Sequence, residues 1–177
     1  MTEFKVPSIE EVSPKNQLLF DKMQKQLGMV PNLYATFAYS ESALGTYLNL
    51  ENGRTSLSTK QMEVINLVVS EVNSCNYCLA AHTVIAKNAG ISKEQTIEMR
   101  SGSFSLDPSL NALAKLVKSM VTDKGHIEQK LIEDFFKAGF NKENLVDVII
   151  AVGSRTITNY LHAIVNVPVD FPTAPNL

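Results

Sequence analysis

The chain has 177 residues, a net charge of −2, 45% hydrophobic and 19% charged residues, the profile of one globular domain with a substantial core. It has no basic stripe and no run of like charge, which argues against nucleic acid or an anionic membrane as the main partner. The N-terminal "MTEFKVPSIEEVSPKNQ" lacks an apolar leader region, and no stretch approaches the ~18 apolar residues of a membrane span, so a cytoplasmic protein is expected.

Almost every segment has helical period and helical punctuation. "SPKNQLLFDKMQKQLG" opens with Ser13 as N-cap and Pro14 at the first helical position, sets Leu18, Leu19 and Met23 on one side, and stops at Gly28. A short helix follows Pro31 in "MVPNLYATFAYS", and "SESALGTYLNLENG" places Leu44, Tyr47, Leu48 and Glu51 at helical spacing. "LSTKQMEVINLVVSEVNS" begins with Ser58 and Gln61 in capping-box register, and its dense apolar run from Val64 to Val69 predicts a largely buried helix. A helix from about Ser74 to Asn88 comes next, stopped by Gly90, and then a short one capped by Ser92 with Gln95. "DPSLNALAKLVKSMVTDKG" carries Leu110, Leu113, Leu116, Val117 and Met120 as its apolar stripe. "IEQKLIEDFFKAGF" and "NKENLVDVIIAVGSRTITNYLHAIVNV" complete the series, and the tail 168–177, "PVDFPTAPNL", reads as an extended arm.

No alternating strand and no glycine-rich loop between strand and helix is found, so a phosphate-cradling loop or a dinucleotide fold is not expected. The fold expected is a single all-α domain spanning 1–177. With an offset of 84 residues, "EVINLVVS" (63–70) overlays "DVIIAVGS" (147–154) and Cys78 falls opposite His162, which raises the possibility of an internal pseudo-repeat of helical pairs.

The two cysteines of the chain, Cys75 and Cys78, stand with His82 in "SCNYCLAAH". Two cysteines are too few for a secreted disulfide framework, so the pair points to redox or metal chemistry. On a helix capped by Ser74, at about 100° per residue, Cys78 lies about 60° from Cys75 and His82 about 20°, so all three share one face. Cys75 occupies the first turn, where free N–H groups and the helix dipole favour a thiolate. His82, one turn beyond Cys78, can take or return its proton. Two thiols at this spacing can close a disulfide, one sulfur being oxidised to a sulfenic acid that the other resolves. Three alternatives stand beside this one. The cysteines can be small buried hydrophobes and the histidine a core residue. They can supply three zinc ligands, with His126, His162 or a carboxylate as the fourth. A thioredoxin-like motif is weaker, because it follows a strand and here the preceding segment is helical.

Glu63, Cys75 twelve positions later, and then Cys-x-x-Cys-x-x-x-His together resemble the signature of the alkylhydroperoxidase AhpD-like proteins of the carboxymuconolactone decarboxylase superfamily. The motif core is 57–90, and "VPNLYATFAYSESALGTYLNL" is similar to the peroxidase-related branch, so the resemblance extends over about 28–167. It implies an AhpD-like helical bundle that oligomerises, as a trimer or hexamer. It also implies a peroxidase or disulfide reductase in which Cys78 is the peroxidatic thiol, Cys75 its disulfide partner, His82 the proton-relay base and Glu63 the carboxylate at the relay's far end. The implied partners are a hydroperoxide and a dithiol or thiol reductant protein, and no metal or organic cofactor is required. Helix-dipole reasoning alone favours Cys75 as the more acidic thiol, so the order of the two sulfurs is left open by the residues and assigned by the resemblance. Where the best-known relay has a second histidine before the second cysteine, this chain has Tyr77, a poor proton shuttle with a side-chain pKa near ~10. Glu71 is then a nearer candidate carboxylate. A decarboxylase-type or other lactone-processing enzyme, which needs no cysteine pair, and a non-catalytic redox-responsive oligomer are the competing functions.

His126 and His162 read as structural or exposed. Arg155, in the apolar "IIAVGSRTITNYL", needs a partner because an unpaired buried charge is costly, and a subunit interface is the expected one. Tyr34, Phe37, Phe135 and Phe136 are expected in the core or an interface.

Overall fold

A computed structural model describes residues 4–177. Among them are nine α-helices, one single-turn helix at Ile9–Glu11 and no strand. In order the α-helices are α1 (Pro14–Leu27), α2 (Asn32–Phe37), α3 (Ala43–Glu51), α4 (Thr59–Val72), α5 (Asn76–Asn88), α6 (Lys93–Arg100), α7 (Pro108–Thr122), α8 (Gln129–Lys137) and α9 (Lys142–Val165). The punctuation expected from sequence sets most of the boundaries. Ser13 accepts the Asn16 N–H at the head of α1, and Gly28 ends that helix at φ 76°. Ser58 with Gln61, and Ser92 with Gln95, close reciprocal capping boxes on α4 and α6.

α4 is the axis of the molecule. Residues 63–70 are all buried, because α5, α6, α7 and α9 pack around it. Val64, Ile65, Leu67 and Val68 are fully enclosed together with Leu113, Leu116 and Val117 of α7, Phe135 of α8 and Val148 of α9. Removing one such side chain leaves a cavity that costs ~2–5 kcal/mol. A second cluster joins Phe20 and Met23 of α1 to Ala35, Ala38 and Leu44. A third is small and holds the two cysteines between Leu33, Tyr77 and Val167.

The tail is extended, as expected, and folds back on the body. Asp170 accepts the Asn32 backbone N–H at 2.8 Å, the Pro168 carbonyl accepts from the Asn32 side chain, and Phe171 stands edge-on to Tyr77. Arg100 donates to the Pro175 carbonyl.

Four expectations change. Leu18 is 71% exposed, and Asn16 takes its place inside by donating to the Ala38 and Ser40 carbonyls. The pseudo-repeat of helical pairs is not found: 59–88 forms two helices, whereas 142–165 is one continuous helix. The break at Ser74, with φ 53°, has no counterpart in α9, where Thr158 and Asn159 remain helical. α9 also has the length and composition of a membrane span, which no stretch of the sequence was expected to approach. Finally, Arg155 does not await a subunit interface; it is buried within this chain.

Candidate active site

The site is built on the α4–α5 hairpin. α4 ends as Asn73 donates to the Val69 carbonyl and Ser74 to that of Glu71. Ser74 then takes a left-handed conformation, which costs a non-glycine residue roughly 1–2 kcal/mol. It does not cap α5. The cap is Cys75 itself, whose backbone N–H reaches the Ser70 carbonyl and whose Sγ accepts the Cys78 N–H at 3.3 Å. The tight reversal lays α5 back along α4, so that Glu63 and His82 meet across the hairpin.

Glu63 Oε2 lies 2.9 Å from His82 Nδ1, and Glu63 Oε1 accepts from the Asn66 amide at 3.0 Å. Both side chains are buried. With Nδ1 committed to the carboxylate, Nε2 is the ring nitrogen left for another partner, and Cys78 lies one turn earlier on α5. Burial pushes the Glu63 carboxyl up, but His82, Asn66 and Arg155 outweigh it and hold the group below its ordinary range.

Cys75 and Cys78 are each 1% exposed and both are free thiols. Their acidities are driven apart. The Cys75 thiol bonds to Cys78, and that bond, against the cost of burial and with help from Arg155, His82 and Asn159, brings Cys78 down to about 5. Cys75 is pushed up, chiefly by giving its hydrogen bond to Cys78 and then by burial. The two thiols titrate as a pair, with Cys78 the lowered partner and Cys75 the raised one. The helix-dipole expectation for Cys75 is opposed by its hydrogen bond to Cys78 and by burial, which raise its thiol.

Two residues of α9 complete the surroundings. Asn159 stands by both sulfurs and is fixed by Ser70 at 3.3 Å and Asn73 at 3.0 Å. Arg155 donates through Nε to Asn66, through Nη1 to Thr158 and through Nη2 to Glu51 at 2.9 Å. Glu51 in turn accepts from Tyr34 at 2.5 Å and Tyr47 at 3.0 Å. A hydrogen-bonded chain thus runs Glu51–Arg155–Asn66–Glu63–His82. Asn159, Asn66, Glu51 and Tyr47 were not singled out as site residues from sequence. The legible signal was a polar side chain inside an otherwise apolar helix, "VINLVV" and "TITNYL".

Tyr77 and Glu71 lie apart from this chain. The Tyr77 hydroxyl accepts the Leu33 N–H at 3.2 Å, and burial with Asp170 of the tail nearby raises its pKa. Glu71 is held by Arg100 at 2.7 Å. His162 packs on the Tyr77 ring, and His126 is exposed after α7. The zinc alternative therefore lacks its fourth ligand, and among the described residues no group of three histidine, cysteine or acidic side chains is placed to hold a metal ion. Two surface hollows, of about 360 and 300 Å³, lie between α1 and α2 and between α7 and α8, and no site residue lines either. Leu33, Val167 and Phe171 cover the sulfurs.

Residues 40–103 match the model of the carboxymuconolactone decarboxylase family. An alkyl hydroperoxide reductase AhpD from Mycobacteroides abscessus is 30% identical over 61 residues, a stretch that spans about a third (34%) of this chain and 34% of that protein. The fold is similar to that of a peroxidase-related protein from Silicibacter sp., with TM-score 0.81, 24% identity and coverage of 94% and 92% of the two chains. It is also similar to an AhpD-core peroxidase-related protein from Ralstonia eutropha, with TM-score 0.85, 16% identity and coverage of 95% and 92%. The apo debrominase Bmp8 gives TM-score 0.79 at 14% identity, covering 96% and 93%. The resemblance read from the Cys-x-x-Cys segment thus stands, and the all-α AhpD-like fold with it.

Proposed function

We propose that this protein is a thiol oxidoreductase that reduces hydroperoxides through Cys78 and Cys75. The observation that carries the proposal is the packing of Cys75, whose Sγ accepts the Cys78 N–H, against Cys78, with His82, in its buried pair with Glu63, one turn along the same helix. The Cys78 thiolate attacks the distal oxygen of R–O–O–H, and the O–O bond breaks. Sulfur is oxidised to sulfenic acid, and the leaving alkoxide takes a proton from His82 to depart as R–OH. Cys75 then attacks the Cys78 sulfenic sulfur; water leaves with the Cys75 proton, and the disulfide forms. An external dithiol returns two electrons and two protons and is itself oxidised to a disulfide. Glu63 holds the His82 ring in one orientation. Access to the sulfurs requires the cover of Leu33, Val167 and Phe171 to open.

The test is catalytic peroxide consumption with a dithiol reductant. Cys78→Ser abolishes it, and Cys75→Ser halts the cycle at a sulfenate or mixed disulfide. Undiminished turnover in both variants overturns the proposal. The enclosure of both cysteines, each 1% exposed, favours one second reading: a redox-responsive protein that forms the disulfide once, without turnover. It is distinguished by stoichiometric rather than catalytic loss of peroxide.

A further inference from the structure

Helix α9 ends at Asn166, whose backbone is left-handed, φ 52°, and whose N–H reaches the His162 carbonyl at 2.8 Å. Residues 167–177 then run back across the site without helix or strand. Among the described residues, none of this segment joins a backbone–backbone hydrogen bond. Pro168, Pro172 and Pro175 have no N–H to offer and stiffen the chain. The result is a strap held by two groups of anchors. Near its start, Asp170 accepts the Asn32 backbone N–H at 2.8 Å, and the Pro168 carbonyl accepts from the Asn32 amide at 3.0 Å. Near its far end, Arg100, itself fixed by Glu71 at 2.7 Å, donates to the Pro175 carbonyl. Between these anchors Phe171 stands edge-on to Tyr77, and Val167 and Phe171 pack in the cluster that holds Cys75 and Cys78.

We infer that 167–177 is a gate, hinged at Asn166, whose swing away from Asn32 and Arg100 admits reactants to Cys75 and Cys78. The inference rests on the cysteine pair being the reacting site. Leu33 covers the same cluster, but it belongs to α2 and its backbone N–H is tied to the Tyr77 hydroxyl of α5 at 3.2 Å. The strap, unlike Leu33, can leave without breaking a helix. A stiff segment with few anchors and no backbone ladder opens locally, at far less cost than global unfolding. A residue at the end of an element, as Asn166 is, can absorb the backbone rotation. The sulfurs then react at their intrinsic rate multiplied by the open fraction, and each anchor helps to set that fraction.

Alkylation reads the gate without any peroxide. The intact, reduced protein is treated with excess iodoacetamide at fixed pH, and modified thiols are counted by mass. Wild type is expected to react far more slowly than the urea-unfolded chain, at a rate that low urea barely changes, because a local opening exposes little surface. Asp170→Ala is expected to quicken it by about tenfold, the loss of one charge-assisted hydrogen bond. Asn32→Ala is expected to quicken it by about fivefold, the loss of a neutral one. Both variants leave the apolar cover in place, and circular dichroism is expected to show wild-type helix content. Oxidation of the thiols by tert-butyl hydroperoxide is expected to quicken by the same factors. Variant rates equal to wild type, or a wild-type rate equal to that of the unfolded chain, overturn the gate. So does a wild-type rate that climbs steeply with urea, or oxidation that stays fixed while alkylation quickens. A wild type that alkylates as expected but consumes no hydroperoxide counts against the peroxide chemistry and leaves the gate standing.

Discussion

Glu63 and His82 sit on opposite arms of one helical hairpin, with Oε2 and Nδ1 2.9 Å apart and both side chains out of solvent. Neither can be moved alone without cost. A buried imidazole that must accept a proton needs a fixed anion beside it, and a buried carboxylate needs a donor. Glu63→Gln retains the shape and one hydrogen bond but withdraws the charge. Its kcat/KM for hydroperoxide is expected to fall by ~10²-fold or more, the ordinary weight of a proton-transfer partner, with the thiols still present by titration.

The acidity of Cys78 gives a pH dependence of defined sign. With its value brought down to about 5, first by the Cys75 hydrogen bond, the thiolate is absent below that pH and fully formed by neutrality. Peroxide-dependent oxidation of Cys78 is expected to rise through a midpoint near 5 and then level off. Cys75→Ala removes the first cause, so the midpoint moves up towards the ordinary thiol value of ~8.5. The ultraviolet absorbance of the thiolate, followed against pH in both proteins, measures it directly.

Arg155 is the salt-bridge partner of Glu51 among the described residues. Burial alone would raise the Glu51 carboxyl, yet Arg155, Tyr34, His82 and Tyr47 hold it low. A carboxyl depressed in the folded state contributes stability above its unfolded pKa, and that contribution is lost as pH falls through the lower folded value. Glu63 has the same sign, so the protein loses stability on the acid side, below the usual carboxylate range. Arg155→Gln is expected to cost ~3–5 kcal/mol by stranding Glu51 and to move acid unfolding to higher pH. Glu51→Gln together with Arg155→Met should recover most of the loss. Denaturant titration at several pH values reads both effects.

Tyr77 is tied to the Leu33 backbone N–H rather than to the relay. Tyr77→Phe is therefore expected to leave peroxide turnover within about two-fold. It should lower stability by ~1 kcal/mol, the worth of a buried hydrogen bond. A hundredfold loss of turnover at unchanged stability would restore Tyr77 to the relay.

The helical order of this chain was legible because its boundaries are written locally: Ser58 with Gln61, Ser92 with Gln95, Asp107 before Pro108, Gly28 after Leu27. The Cys75, Cys78 and His82 grouping was legible for the same reason, since all three fall within one short segment. What was not legible depends on contacts distant in sequence. Asn66 and Arg155 are 89 residues apart, and Arg155 and Glu51 are 104 apart, so the partner of a buried arginine could be required but not named. The turn at Ser74 was misread because a serine before a helix is ordinarily its cap, whereas here a left-handed residue hands that place to Cys75. That shift of one residue puts the Cys75 sulfur on the Cys78 N–H.

The most direct measurement is a thiol count on the purified protein, taken before and after one equivalent of tert-butyl hydroperoxide and again after a dithiol reductant, followed by repeated cycles with excess peroxide. Loss of both thiols per chain, their full return, and many equivalents of peroxide consumed per chain are expected if Cys78 attacks and Cys75 resolves. Two thiols that stay titratable throughout, with no peroxide consumed, would contradict the redox role of the pair.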